Sequence, residues 1–192
     1  MVSISSELPS DVARREAILD CAFGPKRRRK TAERLREGRL PSEGLSFLAH
    51  DHTGHIVGTI RLWDIEAGSA GPALLLGPVA VDEAKRGQGI GSTLMEHAIA
   101  EAARRGHRAI LLVGDEPYYR RFGFTRAAAG ELRLPGPVDL DRFLGLELSP
   151  GALVGATGLV TPAGRMIESG AQARAEYSSP KSGAQSHAIC VF

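Results

Sequence analysis

Cysteine is nearly missing from this chain. Only Cys21 and Cys190 occur in 192 residues, far apart and outside any CxxC or Cys/His cluster. That pattern excludes a disulfide-stapled scaffold and supplies no zinc ligand set. No metal is therefore expected, and both thiols should be buried or incidental rather than reactive. Aromatic side chains are scarce at 5%, so a core must be assembled mainly from Leu, Ile, Val and Ala. No apolar run approaches the roughly 20 residues of a membrane span. Neither charge sign dominates, because 24 Lys+Arg stand against 22 Asp+Glu for a net charge of +2. Bulk attraction to nucleic acid is accordingly not expected. The opening MVSISSELPSD lacks the basic-then-apolar layout of a secretory signal, which makes the cytoplasm the expected compartment, with no membrane partner.

What is present is the balance of a globular domain, 43% hydrophobic and 24% charged. At roughly 150 residues per domain the length suits one unit. We expect a single domain over residues 1–167. Residues 168–192 hold five Ala and five Ser with few large apolar side chains, which reads as a flexible tail.

Patterning gives the elements. Val2 to Ile4 reads as a short strand, and the apolar positions Val12, Ile18, Leu19, Ala22 and Phe23 suit one face of a helix that Gly24-Pro25 ends. A short basic helix is expected over about 27–37. Leu45 to His50 and His55 to Trp63 read as an antiparallel hairpin around Asp51-His-Thr-Gly54. Ala73 to Val81 is an apolar strand interrupted by Gly77-Pro78. Proline cannot donate to a ladder, so a bulge, or the splaying of this strand from a neighbour, is expected there. Gly91 to Arg105 is the clearest helix, with Leu94, Met95, Ala98, Ile99 and Ala102 at three- and four-residue spacing. Arg108 to Val113 reads as a buried strand, Pro117 to Phe122 as a short helix, and Gly123 to Arg126 as the start of another strand. Arg142 to Leu148 and Thr157 to Val160 add two more.

Chemistry concentrates in one stretch, Val79-Ala-Val-Asp-Glu-Ala-Lys-Arg-Gly-Gln-Gly-Ile-Gly-Ser92. A strand runs into a loop with glycines at 87, 89 and 91, and the loop opens directly onto the strong helix. Glycine permits positive φ and close approach of main-chain N–H groups to a ligand. The first amides of a helix lack internal partners and sit at the positive end of its dipole. Such a loop can cradle an anion, a diphosphate above all, and Arg86 adds a positive charge beside it. The plain alternative is a tight strand-to-helix connector. A dinucleotide-binding GxGxxG fails because position 92 is Ser and five residues separate the strand from the first Gly. A Walker A loop fails for want of GK[ST].

Arg86-x-x-Gly89-x-Gly91 between strand and helix resembles the acetyl-CoA pyrophosphate signature of the GCN5-related N-acetyltransferases (GNAT). Tyr119-Arg-Arg-Phe-Gly123-Phe124 resembles that superfamily's Tyr-x-x-x-Gly-Phe segment. Leu-Gly-Pro-Val-Ala-Val before the loop, Gly-Asp-Glu-Pro-Tyr-Tyr-Arg-Arg-Phe-Gly-Phe after it, and the run Leu144 to Leu153 look like the YhbS-type branch. The resemblance spans about residues 2–160. It implies an α/β fold with a mixed, partly splayed sheet of six to seven strands and helices on both faces. It also implies transfer of an acetyl group from acetyl-CoA, as co-substrate, to a primary amine of a small molecule or peptide, by direct attack in a ternary complex.

The same resemblance implies the site. The main chain of Val79, Ala80 and Val81 would pair with pantetheine amides and polarise the thioester carbonyl. Arg86, Gly87, Gln88, Gly89, Ile90, Gly91 and Ser92 would hold the diphosphate. Tyr119 stands where the family places its general acid, a role that suits a phenol with an ordinary pKa of about 10. Tyr118 is assigned to packing or substrate contact. Many relatives carry an Asn before the Tyr; here the segment reads Gly114-Asp115-Glu116-Pro117, and three roles are open to Asp115, contact with CoA, steering of a cationic amine and, the one expected, capping of the short helix. No general base is legible. His50, His52 and His55 cluster at the hairpin turn, His97 and His107 lie on or after the strong helix, and Glu66 and Glu83 are merely carboxylates near strand ends. The run Lys26 to Lys30, with Arg34, Arg36 and Arg39, reads as a solvated face paired with Glu33 and Glu37. A second reading has part of it lining the acceptor site to bind an anionic substrate, or reaching the CoA 3′-phosphate. A non-catalytic acyl-CoA-binding sensor remains the alternative function, a different nucleotide-binding enzyme a third. A homodimer is compatible with the sequence, which does not encode the oligomeric state legibly.

Overall fold

Two long strands set the frame, because their side chains alternate between two apolar layers. The computed structural model describes residues 2–167 except 25, 26 and 29; the expected tail 168–192 lies outside the described residues. Strand β1 is Ser3–Ser6, helix α1 Val12–Phe23, and the hairpin is β2 Ser46–His50 with β3 Ile56–Ala67. Then come β4 Pro72–Val81, helix α2 Ile90–Arg104 and β5 Ala109–Val113. Two short helices, α3 Glu116–Tyr119 and α4 Arg126–Ala129, precede β6 Glu131–Arg133, β7 Phe143–Glu147 and β8 Thr157–Pro162.

Along β4, Leu74 and Leu76 face one core with Ile60 and Leu62, while Ala73 and Leu75 face the other with Trp63 and Ile65. The period of two decides which layer each residue joins. Helix α2 covers the first layer through Ile90, Leu94, Met95, Ala98 and Ala102, a single stripe at helical spacing. Each large side chain so buried contributes about 1.5–3 kcal/mol. On the opposite face Ile18 and Leu19 of α1 close over Ala80. The result is the mixed sheet with helices on both faces that the sequence implies.

The sheet runs β1-β2-β3-β4-β5-β7, with β8 joining the end of β3 and β6 pairing β8. It has eight strands, more than the six to seven expected, because β6 is a three-residue strand with only Leu132 buried and too short to pattern. Residues 123–126 do not form a strand. Thr125 makes one bridge to Gly145 and its hydroxyl then accepts from Ala128 N–H, starting α4. The basic segment is likewise not a helix over 27–37 but a 3-10 turn at Thr31–Leu35. Its side chains are tied to different elements, Thr31 to Pro137 O and Arg34 to Pro135 O, with Leu35 fully buried, and these contacts override helix propensity.

The expected interruption of β4 is real. Ile60 pairs with Val79 and Leu62 with Leu76, so Gly77 and Pro78 together oppose Arg61. That count of two against one is a bulge. Parallel pairing of β4 with β5 consists of Leu74 with Ile110 and Leu75 with Leu111, whereas β5 stays paired with β7 as far as Val113. The two central strands therefore part just where the bulge begins.

Candidate active site

The loop after β4 is held from both sides. Asp82 accepts from Ala84 N–H at 3.2 Å and pairs with Arg14 of α1 at 2.7 Å, while Lys85 pairs with Asp51 at 3.2 Å. Gly87 and Gly89 have φ of 77° and 78°, and a Cβ at either would meet nothing within 4 Å. Glycine is needed there for the left-handed backbone rather than for crowding, and the space above it is open. Gly89 is the N-cap of α2, and among the described residues no side chain caps it. The amides of the first turn, through Ser92, thus project without an intrahelical acceptor. Arg86, Gly87, Gln88 and Gly89 are exposed, Ile90 is buried as the anchor, and Gly91 and Ser92 are half-buried.

The gap between β4 and β5 opens into a cavity of about 620 Å³. One wall is the bulge with Val79, another the end of β5 with Gly114 and Asp115, and Tyr119 and residues from the 27–36 segment close it. The bulge carbonyl of Gly77 accepts a buried hydrogen bond from Trp63 Nε1 at 2.7 Å. Sequence reasoning gave Trp63 no role, since nothing local ties it to a residue fourteen positions on.

Two adjacent tyrosines link loop and cavity. The Tyr119 ring lies so closely on Gly114 that a Cβ there would stand 2.1 Å from its Cε2. It meets Tyr118 edge-on at 4.9 Å and Phe124 at 6.2 Å. Burial pushes the Tyr119 phenol above its ordinary pKa, with the phenol of Tyr118 and the carboxylate of Asp115 adding to the effect. The Tyr118 hydroxyl instead reaches the first turn of α2, 3.3 Å from where a Gly91 Cβ would be, and Arg121 stacks over its ring. Asp115 does not cap α3 through its carboxylate. That group pairs with Arg142 at 3.0 Å, and it is the Asp115 carbonyl that accepts from Tyr118 and Tyr119 N–H. A charged partner in reach outweighs a local neutral cap.

Of the residues singled out by the sequence, Val79 and Tyr119 line the cavity together. Ala80 is turned onto α1, and Val81 Cγ2 stands 3.7 Å from the Gly91 Cβ position. The loop 86–92 is not part of the cavity lining; it adjoins it through Val81 and Tyr118. His50 and His55 sit in turn hydrogen bonds, His97 packs edge-on against Phe47, and Glu83 faces Arg86 at 3.9 Å. The carboxylates on the cavity wall are Glu33 and Asp115.

Most of the basic run is engaged. Arg27 turns back onto Glu16 and Asp20, Arg28 reaches Glu16 at 3.3 Å, and Lys30 lies over the Phe23 ring at 4.9 Å; Lys26 and Arg29 lie outside the described residues. Arg36 differs from the solvated residue expected. Its side chain is only 11% exposed, and burial pulls its pKa down to about 10. Cys21, expected to be buried or incidental, is exposed on α1.

Residues 13–124 match the Acetyltransferase (GNAT) family. The chain belongs to that family. It is 32% identical over 158 residues to the uncharacterized N-acetyltransferase YhbS of Escherichia coli K12, covering 82% of this chain and 93% of the relative. The crystal structure of the E. coli GNAT-family N-acetyltransferase YhbS in complex with CoA superposes with a TM-score of 0.71 at 31% identity, covering 84% of this chain and 89% of that one. A GNAT-family acetyltransferase from Brucella melitensis in complex with acetyl-CoA gives 0.58 at 26% identity over 88% and 97% of the two chains. The splayed sheet and glycine loop are thus those of a GNAT acetyltransferase. Among the described residues no helix is long and apolar enough to cross a membrane.

Proposed function

We propose that this GNAT acetyltransferase moves an acetyl group from acetyl-CoA to a primary amine by direct attack within a ternary complex. The observation that carries the reading is the shared cavity: the β4 bulge and the half-buried Tyr119 open onto one space, where the central strands part. The chain's residues fit the co-substrate. Open space over Gly87 and Gly89 and the uncapped start of α2 suit a diphosphate. The unpaired edge of β4 beyond Leu75 suits the amides of a pantetheine arm, and the CoA and acetyl-CoA complexes of the relatives support both assignments. Bound there, the thioester supplies an activated acyl group.

The remaining work belongs to the protein. Main-chain groups of Val79 to Val81, stiffened by pairing with β3, offer a donor fixed in advance for a developing oxyanion. Tyr119 Oη, a phenol protonated at neutral pH and pushed further up by burial, can deliver its proton to a departing thiolate. Glu33 and Asp115 are each engaged by an arginine; we leave removal of the ammonium proton to water in the cavity mouth. Thiol release from acetyl-CoA over a panel of primary amines tests the proposal. A transferase yields thiol with at least one amine, whereas a binding-only sensor takes up CoA and releases none.

A further inference from the structure

Arg36 lines the cavity without a part in the reaction above, and it is placed at a cost. Its guanidinium meets Glu33 through Nη1 at a loose 3.6 Å, and its buried Nε has no hydrogen-bond partner among the described residues. Leaving a buried N–H of a charged group unmade is unfavourable. Of the other cations on the wall, Arg27 is held by Glu16 and Asp20 and Arg142 by Asp115, while Lys30 lies over the Phe23 ring. The guanidinium packs closely on Gly77, where a Cβ would stand only 3.3 Å from Nη2. A planar fork with donors to spare, pressed against the bulge, matches the two oxygens of a carboxylate.

We infer that the acceptor is a small amine bearing a carboxylate, which Arg36 holds while the amino group faces the bulge and Tyr119. The inference rests on the acetyl-transfer reading. Both ends lie in one cavity of about 620 Å³, a size typical of small-molecule sites. Because Arg36 lies against Gly77 itself, the spacing between carboxylate and amine is short, as in α-amino acids and the shorter ω-amino acids.

The test uses the full chain with saturating acetyl-CoA, and compares short amino acids with their own carboxamides by thiol release. Thermal shift with saturating CoA gives a second readout that needs no turnover. The acids should be acetylated with a KM at least about tenfold below that of the amides, the effect expected of one charge-assisted pair. Only the acids should raise the melting temperature. Arg36→Gln should erase the difference by raising KM for the acids, with the KM for acetyl-CoA little changed, and Arg36→Lys should restore part of it. Should Arg36→Gln fail to fold, the acid–amide comparison in the wild type decides alone. Equal or better use of the amides overturns the inference, as does a protein that binds CoA yet neither acetylates nor is stabilised by any amino acid. Absence of CoA binding would instead strike down the transfer reading on which this one stands.

Discussion

Trp63 Nε1 donates to the carbonyl oxygen of Gly77 across 2.7 Å of buried space, and so ties the bulge of β4 to the neighbouring strand. The bulge removes two residues from ladder pairing, and a backbone carbonyl so displaced needs another donor. The only tryptophan of the chain provides it.

Trp63→Phe should therefore leave that carbonyl buried and unmade. The expected loss is about 1–3 kcal/mol, or on the order of 5 °C in Tm for a domain of this size, together with a lower kcat/KM. Thermal unfolding and steady-state thiol release measure both. An unchanged Tm would show that the bond does not hold the bulge.

Gly114→Ala examines how Tyr119 is positioned. The added Cβ would lie 2.1 Å from Cε2 of Tyr119, so the ring must move by about an ångström. Misplacement on that scale costs up to roughly a hundredfold in rate. We expect kcat to fall at least about tenfold while acetyl-CoA affinity stays within about twofold; unaltered kcat would contradict the placement.

Tyr119→Phe removes the proton itself and should lower kcat by about 10²–10⁴ with little change in cofactor binding. The sign of the pH dependence follows from the protonated form being the active one. Turnover due to Tyr119 is retained below its pKa and lost as pH rises through it. Burial sets that pKa above the ordinary value, so no Tyr119-dependent fall should occur below about pH 10. Full turnover in the variant, or an alkaline limb below pH 9 that the variant abolishes, would refute the assignment.

Much of this arrangement could be read before the structure, and the reason is locality. The stripe on α2 repeats within one helix. Gly77-Pro78 announces a bulge because a missing N–H is a property of the residue itself. Gly87 and Gly89 announce a left-handed loop for the same reason. What stayed hidden depends on partners distant in the chain. Capping is local, so the sequence offers Asp115 as a cap, and Arg142 lies too far along for that pattern to include it. Arg36 sits in a run of cations that looks solvated as a whole, and periodicity gives no sign that this one arginine folds inward. The packing of Tyr119 on Gly114 and the bond from Trp63 to Gly77 are likewise side-chain events between elements. Residues 131–133 leave no mark in the sequence pattern, because one buried leucine in three residues carries no period.

Calorimetric titration of the folded chain with CoA, alongside Gly89→Glu, addresses the grip of the glycine loop on a diphosphate. Gly89 sits at φ 78° with ψ −1°, a conformation that strains any other residue by about 1–2 kcal/mol, and glutamate adds a negative charge where an anion should bind. The wild type should bind one CoA per chain with heat and a defined affinity, and the variant, still folded, should show none. Folded wild-type protein that gives neither heat nor saturation with CoA or acetyl-CoA would contradict this reading of the site.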